Sequence, residues 1–533
     1  MRPNTILMVY PEFPVTYWSL EHVIPYLDIK ASMPPLGLLQ VAAMLPEDWP
    51  VTLVDLNVRQ GGLRDEDFAG IDLVFLSAMS VQEESFNEVV ALCRAAGKTV
   101  VAGGPYVSSV PNQIHGVDHL ILGEAETLLP RFLADLDQGK AQPVYETTDK
   151  PDLSLTLAPR MDLIDPADYL TMPLQFSRGC PFNCEFCEII KMFGRQVRTK
   201  SPEQFLAELD AVYASGFRGN IFLVDDNFIG NRNQAKRLLM ALIDWQTEHR
   251  YPYSFLTEAS LNLASEAALM GLMVGAGFDS VFIGIESPDE DSLRETGKLQ
   301  NLRGDILSSV KRIQSMGLNV MGGFILGFDH DPDNIRELQT SLIREAGIPQ
   351  ALVSLLNAPP GTRLFYRMKE EGRLLREEAF AGDHLNAGIN FVPRTELAVL
   401  RDRYEGVLAD IYEPGTYFRT ALRALDHLPR RRPKAVFQIL PEGMPLRRRL
   451  RRLRGMLAFA WRILRSPYAF RYMKFFVQAW LINRKNMAMA LVYAVQGYHN
   501  MVTTRQMLGE AALTGGLDRS GRNWRETVAV AKS

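Results

Sequence analysis

The chain has 533 residues, with 58 Lys and Arg against 62 Asp and Glu, for a net charge of -4 at pH 7. This length exceeds what one hydrophobic core fills, so we expect about three domains. The nearly balanced charge gives no overall signal for nucleic-acid binding. Before Pro11 the apolar run is too short for a secretory signal, so we expect a cytoplasmic protein.

Short apolar runs alternate with helical segments from residue 4 to about residue 137. This alternation predicts a doubly wound α/β domain of Rossmann or flavodoxin type over residues 1–145, then a linker over 146–170. No G-x-G-x-x-G follows the first strand and no P-loop motif occurs, which argues against a dinucleotide or nucleotide site. The predicted strand ends instead carry residues that would let a large flat ligand approach the backbone: Asn57, Ser77, Gly103, Gly104, Gly123 and Glu124.

Three of the four cysteines lie within eight positions, in "GCPFNCEFC". Cys180, Cys184 and Cys187 have the spacing C-x3-C-x2-C, so their thiolates can converge on one metal centre. A structural zinc site normally takes four protein ligands, and the nearest His residues are more than fifty positions away. Zinc therefore remains a minor alternative. The fourth cysteine, Cys93, lies in a helical pattern and is expected to be a buried apolar residue.

Six strand-like runs between residues 171 and 360 are separated by helical segments, from "LQFS" to "ALVSLLNAPP". This pattern predicts a parallel, partly open (β/α)6 barrel within a domain over residues 171–395. Polar groups at the carboxyl ends of such strands face the site, although each could also cap an ordinary strand end. These ends carry five acids: Asp225, Asp226, Glu258, Glu286 and Asp329.

The last region, residues 396–533, becomes basic and helical from Arg430 onward. Its apolar runs are interrupted by Arg and Lys, so none is expected to span a bilayer. Clustered Arg beside Trp and Phe can lie in a membrane interface and attract anionic lipid. A helical cap with solvated charges is the equal alternative. The tail "TGGLDRSGRNWRETVAVAKS" is expected to be poorly ordered. The arginines expected to contact lipid are Arg447, Arg448, Arg449, Arg451 and Arg452.

The order of these motifs resembles one known family. "VAGGP", the cysteine motif, "VDDNFIGN" and "GIESPD" are similar to the B12-binding radical S-adenosylmethionine (SAM) enzymes, in the subfamily that includes the hopanoid C-2 methylase. The resemblance implies a [4Fe-4S] cluster on the three cysteines, together with SAM and cobalamin. It places cobalamin at the six strand-end residues of the first domain. The SAM contacts that it implies are Phe186, Asp225, Asp226, Glu258, Glu286, Gly323 and Ile325.

Two details depart from the family pattern. The acid that usually follows the fifth-strand glycines is displaced, and Asp329 stands nearby instead. Many cobalamin-binding domains place a His after the first strand to ligate cobalt, but "YPEFPVTYW" has none. We therefore expect the lower face of cobalamin to be covered by Phe13, Tyr17 or Trp18. These aromatic residues could equally pack in the core.

The resemblance implies an enzyme that methylates an unactivated carbon through a 5'-deoxyadenosyl radical. One alternative is transfer of another SAM fragment, such as the 3-amino-3-carboxypropyl group, or a rearrangement without methyl donation from cobalamin. Another is a non-catalytic iron-sulfur or zinc protein. The expected partners are a small-molecule or lipid-like substrate and an electron donor such as flavodoxin or ferredoxin. We expect no nucleic acid, and a peripheral membrane contact through the C-terminal region.

Overall fold

The computed structural model describes residues 4–376, 388–430 and 444–509. The tail predicted to be poorly ordered, and most of the basic stretch "RRRPK", lie outside these described residues. No helix in the three described ranges is long and apolar enough to cross a membrane.

The first part of the chain forms a parallel six-stranded sheet in the order β2-β1-β3-β4-β5-β6. Its strands are β1 (Ile6–Tyr10), β2 (Val51–Asp55), β3 (Leu73–Ser77), β4 (Thr99–Gly103), β5 (His119–Leu122) and β6 (Val144–Glu146). Its helices are α1 (Leu36–Met44), α2 (Glu83–Ala95), α3 (Pro105–Ser109) and α4 (Ala125–Asp137). One apolar cluster lies on each face of this sheet, as a parallel sheet requires.

The strand order confirms a doubly wound domain of flavodoxin type. β1 pairs with β2 on one side and with β3 on the other, so that Met8 lies opposite Leu53 and Phe75. The chain reverses its winding direction between β1 and β3. Ligands of such sheets bind at this switch point, beyond the carboxyl ends of the strands.

The middle of the chain forms a second parallel sheet in the order β14-β13-β12-β11-β10-β7, a partial barrel as predicted. Its strands are β7 (Thr171–Leu174), β10 (Gly219–Leu223), β11 (Tyr253–Ala259), β12 (Phe278–Glu286), β13 (Asn319–Leu326) and β14 (Ala351–Leu355). A short antiparallel ribbon, β8 (Ser177–Arg178) with β9 (Arg198–Thr199), brackets the cysteine segment and helix α5 (Ile189–Phe193).

Helices cover the outside of the barrel. They are α6 (Pro202–Ala214), α7 (Arg232–Glu248), α8 (Ala267–Ala276), α9 (Glu290–Glu295), α10 (Ile306–Met316), α11 (Ile335–Ala346) and α12 (Arg363–Glu370). Their ends follow local rules. At the start of α6 the Ser201 and Gln204 side chains cap each other's backbone N–H groups. Gly277 and Gly317 end α8 and α10 in the left-handed conformation.

The C-terminal region consists of α13 (Leu397–Ile411), α14 (Pro414–His427), α15 (Leu446–Leu464), α16 (Ala469–Asn483) and α17 (Met487–Met507). Hydrogen bonds connect this region to the barrel. The Tyr417 hydroxyl donates to the backbone oxygen of Tyr493, whose own hydroxyl donates to Asn319 at the start of β13. These helices and the barrel share one apolar core.

Candidate functional site

β7 ends at Leu174, three residues before the end of the predicted strand run "LQFS". Residues 175–188, here called the cysteine segment, follow it. The Asp225 carboxylate, just beyond β10, accepts the backbone N–H groups of Phe176 at 2.8 Å and Ser177 at 2.9 Å. It also accepts the Ser177 hydroxyl at 2.6 Å. The neighbouring Asp226 accepts the N–H of Gly179 at 2.8 Å. Both acids therefore fix the path of the chain into the cysteine segment.

Two amide side chains donate to two of the three predicted cluster thiols. Asn227 Nδ2 lies 3.7 Å from Cys180 Sγ, and Gln300 Nε2 lies 3.7 Å from Cys184 Sγ. Burial raises the pKa of the Cys187 thiol to about 12. N–H donors to sulfur are a means by which proteins stabilise cluster thiolates and set cluster potentials. The donor set therefore fits a cysteine-bound cluster.

The two amides were not predicted. Asn227 stands beside Asp226 in "VDDNFIGN", so its position in the motif was a usable signal. Gln300 lies in a short 3-10 helix between α9 and α10, where no pattern marks it.

A single zinc ion has less support. Within the described residues, no three His, Cys, Asp or Glu side chains converge closely enough to hold one metal ion. Zinc binds thiolates at about 2.3 Å in a compact tetrahedron. A four-iron cluster is a larger body, and its cysteines ligate different iron atoms. Cys180, Cys184 and Cys187 also supply one ligand fewer than a structural zinc site takes.

Three carboxyl groups at the barrel mouth have raised pKa values. Burial and, to a lesser extent, the charges of the nearby Asp226 and Asp225 raise the pKa of Glu258 to about 8. Burial likewise raises Asp225 to a pKa of about 7 and Asp226 to about 6. A buried carboxyl group is protonated more readily because its charged form has lost water. A cationic ligand bound here would stabilise the ionised carboxylates and so lower their pKa values.

One buried cation, Lys298, lies among these acids. Its Nζ is 2.5 Å from Glu286 Oε1, and both side chains are about one-tenth exposed. Burial alone would lower the pKa of Lys298, but the charges of Glu286 and Cys184 raise it above its ordinary value. Lys298 also lies 6.0 Å from the Phe186 ring centroid. Lys298, which was not predicted, thus joins the predicted SAM residues Glu286 and Phe186 to the cysteine segment.

The end of β12 has a strained backbone. Glu286 has a φ of +67°, in the left-handed region that a non-glycine residue rarely adopts. Asn301 Nδ2 stabilises this turn by donating to the backbone oxygens of Gly284 and Ile285, each at 3.0 Å. Such strain persists only where surrounding contacts hold it, and it clusters at functional sites. The carboxylate of Glu286 is thereby aimed at Lys298.

The predicted SAM contacts Gly323 and Ile325 lie on β13, next to an aromatic ring. A Cβ at Gly323 would lie 3.0 Å from the Phe282 ring, so glycine lets this ring pack closely against β13. Trp18, from the segment after β1, packs against Phe282 with ring centroids 5.7 Å apart. Ile325, two residues after Gly323, is partly buried. The first domain thus reaches over this edge of the barrel.

Asp329 has a structural role. It accepts from Arg367 at 3.0 Å and from Arg373 at 2.6 and 2.7 Å. Burial would raise the pKa of Asp329, but these two guanidinium groups lower it. Arg367 also holds Glu185, inside the cysteine segment, at 2.8 and 3.0 Å. This network clamps α12 onto the cysteine segment.

The carboxyl edge of the first sheet is lined by small residues at the switch point. Asn57 Oδ1 accepts the N–H of Phe13 at 2.8 Å, which fixes the segment after β1. Gly104 has a φ of +90°, and a Cβ there would collide with the Ser77 hydroxyl. Gly103 and Gly123 also lack side chains at this edge. These small residues keep bulky side chains away from the edge of the sheet where cobalamin is predicted.

Glu124 joins the two domains. Its buried carboxylate is 2.8 Å from Arg178 on β8 and 2.8 Å from Arg198 on β9. Arg178 also contacts Glu126 at 2.8 Å. Glu124 was predicted as a cobalamin contact, and the structure gives both of its oxygens to arginines of the ribbon. The ribbon next to the cysteines is thus fixed to the first sheet.

The three aromatic residues predicted below cobalamin have different surroundings. Tyr17 is buried, stacks on Tyr412 with ring centroids 5.3 Å apart, and shares a hydrogen bond of 2.8 Å with Thr504. It is therefore core packing, the alternative reading of that residue. Phe13 contacts Tyr10 edge to face, whereas Trp18 faces the barrel.

Sequence comparisons agree with this arrangement. Models of the B12 binding domain, the radical SAM superfamily and a domain of unknown function (DUF4070) match residues 25–133, 174–341 and 362–512. An uncharacterized methyltransferase of Synechocystis sp. is 41% identical over 435 residues, 81% of each chain. The hopanoid C-2 methylase of Rhodopseudomonas palustris is 36% identical over 415 residues, 77% of each chain.

Solved structures show the same fold at low identity. TsrM from Kitasatospora setae, a radical SAM methyltransferase with cobalamin and a [4Fe-4S] cluster bound, matches with a TM-score of 0.59 at 15% identity. That match covers 78% of this chain and 92% of TsrM. The cobalamin-dependent radical SAM enzyme OxsB matches with a TM-score of 0.57 at 15% identity, over 95% of this chain and 80% of OxsB.

A parallel sheet of B12-binding type joined to a partial barrel with a three-cysteine segment defines a cobalamin-dependent radical SAM enzyme. The chain belongs to the B12-binding radical SAM methyltransferase family that includes the hopanoid C-2 methylase. Its cofactors are a [4Fe-4S] cluster, SAM and cobalamin. Transfer of another SAM fragment and a non-catalytic role are not favoured, because the similar chains are named as methyltransferases and methylases.

Proposed function

We propose that the protein methylates an unactivated carbon of a small, apolar, lipid-like molecule. The observation that carries this proposal is that Trp18, from the B12-binding domain, packs on Phe282 at the mouth of the barrel. This contact supports an arrangement in which the predicted cobalamin edge and the predicted SAM edge face one shared space. When bound, the cluster, SAM and cobalamin supply the radical and the methyl group.

We assign cluster ligation to Cys180, Cys184 and Cys187. In this proposal the carboxyl groups of Asp226 and Glu258 receive the positively charged amino group of SAM, since their raised pKa values favour a cationic neighbour. Asp225, Glu286, Phe186, Gly323 and Ile325 shape the rest of that site. Asn57, Ser77, Gly103, Gly104 and Gly123 border cobalamin, while Glu124 holds the two domains together.

An apolar substrate suits the aromatic side chains around this space. The ring centroids of Phe186, beside Cys187, and Phe328, just after β13, are 6.2 Å apart. Trp18 and Phe282 form a second aromatic pair. Aromatic walls bind apolar molecules and exclude water from a reactive centre. The relative that methylates hopanoids points to the same substrate class. A lipid-like substrate also implies a peripheral membrane contact.

A protein electron donor, such as flavodoxin or ferredoxin, is part of the proposal. Three exposed cations surround the outside of the cysteine segment and donate to backbone oxygens there or nearby. Arg195 donates to Pro181, Arg363 to Asn183 and Lys191 to Pro360. Such a basic patch would attract an acidic donor in a salt-dependent way. Reduction by flavodoxin should therefore slow at high salt and in Arg195→Gln and Arg363→Gln variants.

Anaerobic reconstitution with iron, sulfide, cobalamin and SAM tests the reaction. With a hopanoid-like substrate and a reductant, mass spectrometry should detect a methylated product together with S-adenosylhomocysteine and 5'-deoxyadenosine. Replacing any one of Cys180, Cys184 and Cys187 by Ala should abolish these SAM-derived products and remove the cluster's visible absorbance.

Cys93→Ala is the matched control, because Cys93 is buried in α2 away from the site. This variant should keep its iron and its SAM-derived products.

In the parent protein, methylthioadenosine formed without S-adenosylhomocysteine would instead indicate transfer of the 3-amino-3-carboxypropyl group. A variant lacking all three cysteines that still bound a full cluster would disprove the ligand assignment.

A further inference from the structure

Helix α15 presents a continuous apolar stripe to solvent. The exposed positions recur every three or four residues, which places them on one side of the helix. Trp461 is 56% exposed and Leu457 is 71% exposed. The full stripe consists of Leu446, Leu450, Leu453, Leu457, Trp461 and Leu464.

The opposite side of α15 carries cations and faces the protein. Arg448 lies 3.3 Å from Asp165, and Arg452 is buried. Arg462 donates to the Tyr498 hydroxyl at 2.6 Å and to the Tyr26 hydroxyl at 3.1 Å. Of the five arginines expected to contact lipid, Arg448 and Arg452 are therefore turned inward. Unlike an ordinary surface helix, α15 thus has an apolar stripe on its outer side as well as packed residues on its inner side.

Helix α16 extends this surface. Its inward side buries Tyr472, Phe475 and Ala479. Its outward side again exposes a stripe at helical spacing, and Trp480 there is 54% exposed. The exposed apolar residues are Phe470, Met473, Val477, Trp480 and Leu481. Together, α15 and α16 hold eleven of the 23 large apolar side chains that are exposed in the described residues.

Cations border the two stripes. Arg465 stacks on Trp461, with its guanidinium carbon 4.4 Å from the ring centroid. The other exposed cations on or beside these helices are Arg447, Arg449, Arg451, Arg454, Arg471, Lys474, Arg484 and Lys485. An apolar stripe with Trp, bordered by Lys and Arg, is the pattern of helices that lie in a membrane interface.

We propose that α15 and α16 form a membrane-docking face that inserts its apolar stripes into the surface of a bilayer containing anionic lipid. The exposed Arg and Lys residues favour a bilayer with anionic lipid, because they attract its headgroups while the apolar stripes enter the acyl boundary. In this proposal the exposed apolar side chains insert, and the exposed arginines at the border add to the attraction expected from the sequence.

This face is directly connected to the proposed site. Gly455 on α15 packs against the backbone oxygen of Tyr26, and Phe459 packs on the Tyr26 ring at 5.4 Å. His499 on α17 contacts the backbone oxygen of Thr16 at 2.8 Å. Tyr26 and Thr16 belong to the segment after β1 that also carries Trp18. An apolar substrate leaving the bilayer would thus meet the segment that closes the site, an inference that rests on the proposed function.

The test uses the full chain with two kinds of vesicle, one of phosphatidylcholine and one that also contains phosphatidylglycerol. The protein should co-sediment mainly with the anionic vesicles. A triple variant, Leu457→Gln, Trp461→Gln and Trp480→Gln, should bind them at least tenfold more weakly. The matched control is Met240→Gln with Leu338→Gln, which alters exposed apolar residues of α7 and α11 and should bind like the parent.

Two results would overturn the docking face. One is equal vesicle binding by the parent and the triple variant. The other is a parent dimer in analytical ultracentrifugation that becomes a monomer in the triple variant, with no vesicle binding by either. SAM cleavage in the absence of vesicles is measured separately and should be unchanged in the triple variant. A protein that binds vesicles but does not methylate would disprove the proposed function and leave the docking face intact.

Discussion

The barrel mouth and the outer face of α15 and α16 break the usual burial pattern in opposite directions. At the barrel mouth, Asp225 and Glu286 are buried, although carboxylates are normally exposed. On the outer face, Leu457 and Trp461 are exposed, although large apolar side chains normally contribute to a core. Both arrangements carry an energetic cost, because a buried charge loses its hydration and an exposed apolar side chain stays in water.

The difference between the two regions lies in how that cost is offset. Glu286 is paired with Lys298, and Asp225 accepts three hydrogen bonds from the cysteine segment. The barrel mouth is thus stabilised largely within the chain. The apolar stripes of α15 and α16 face solvent in the described residues, so no contact among those residues offsets their cost. We therefore interpret the buried acids of the barrel mouth as part of a cofactor site, and the exposed stripes of α15 and α16 as a docking surface.

The largest expected effect concerns the pair of Lys298 and Glu286. Lys298→Met should lower the free energy of unfolding by about 3–5 kcal/mol, because it leaves the Glu286 carboxylate buried without its cation. Adding Glu286→Gln to this variant should restore much of the loss. Chemical denaturation of the cofactor-free protein measures both variants.

Arg294→Met is the control for that experiment. Arg294 pairs with Glu290 and Asp291 on the exposed side of α9, where an ion pair contributes little. It should leave the unfolding midpoint nearly unchanged. If Lys298→Met behaved like Arg294→Met, the barrel mouth would not depend on internal pairing, and the comparison would fail.

A second prediction contrasts two neighbouring residues of α16. Phe475 is buried in the shared core, whereas Val477 is 61% exposed. Phe475→Ala should cost about 3–5 kcal/mol in the free energy of unfolding, because it removes a core ring. Val477→Ala should change that free energy by no more than about 0.5 kcal/mol. Thermal and chemical denaturation should agree, and similar losses in both variants would mean that Val477 is covered in solution.

The sequence predicted some of the residues in these experiments and missed others. Strand periodicity and the cysteine spacing predicted both sheets and placed Asp225, Asp226 and Glu286 at strand ends. The partner of Glu286 was not predictable. Lys298 lies in an irregular segment after α9, where residue spacing does not show which way a side chain points. The orientation of Arg448 and Arg452 was also missed, since composition shows that a helix is basic but not which side packs against Asp165.

A third prediction uses the pH dependence of the barrel mouth. Burial raises the pKa of Glu258 to about 8 in the folded, cofactor-free protein, against about 4.3 for an unfolded chain. Folding therefore favours the protonated form, so this contribution is complete below the unfolded pKa and is lost as the pH rises toward 8. The loss is at most about 1.4 kcal/mol per pH unit. Glu258→Gln should flatten the decline in stability between pH 6 and pH 8 by that amount.

The measurement is a set of denaturation curves for the parent and Glu258→Gln across that pH range. Glu266→Gln, at the start of α8, is a control because Glu266 pairs with Arg232 near the surface. The parent and Glu258→Gln would have parallel profiles if Glu258 were already ionised at pH 6. That outcome would remove the argument that the barrel mouth is built for a cation.

The smallest expected effect is on the reduction potential of the reconstituted cluster. Gln300 Nε2 lies 3.7 Å from Cys184 Sγ, and such a donor stabilises the more negative, reduced cluster. If the hydrogen bond contributes about 1 kcal/mol, Gln300→Leu should lower the one-electron midpoint potential by roughly 40 mV. A redox titration followed by electron paramagnetic resonance measures this shift without SAM or substrate. Gln314→Leu is the matched control, because Gln314 is equally buried but donates to Gly347; it should lose stability and keep the parent potential. Equal potentials in all three proteins would show that Gln300 only packs beside Cys184.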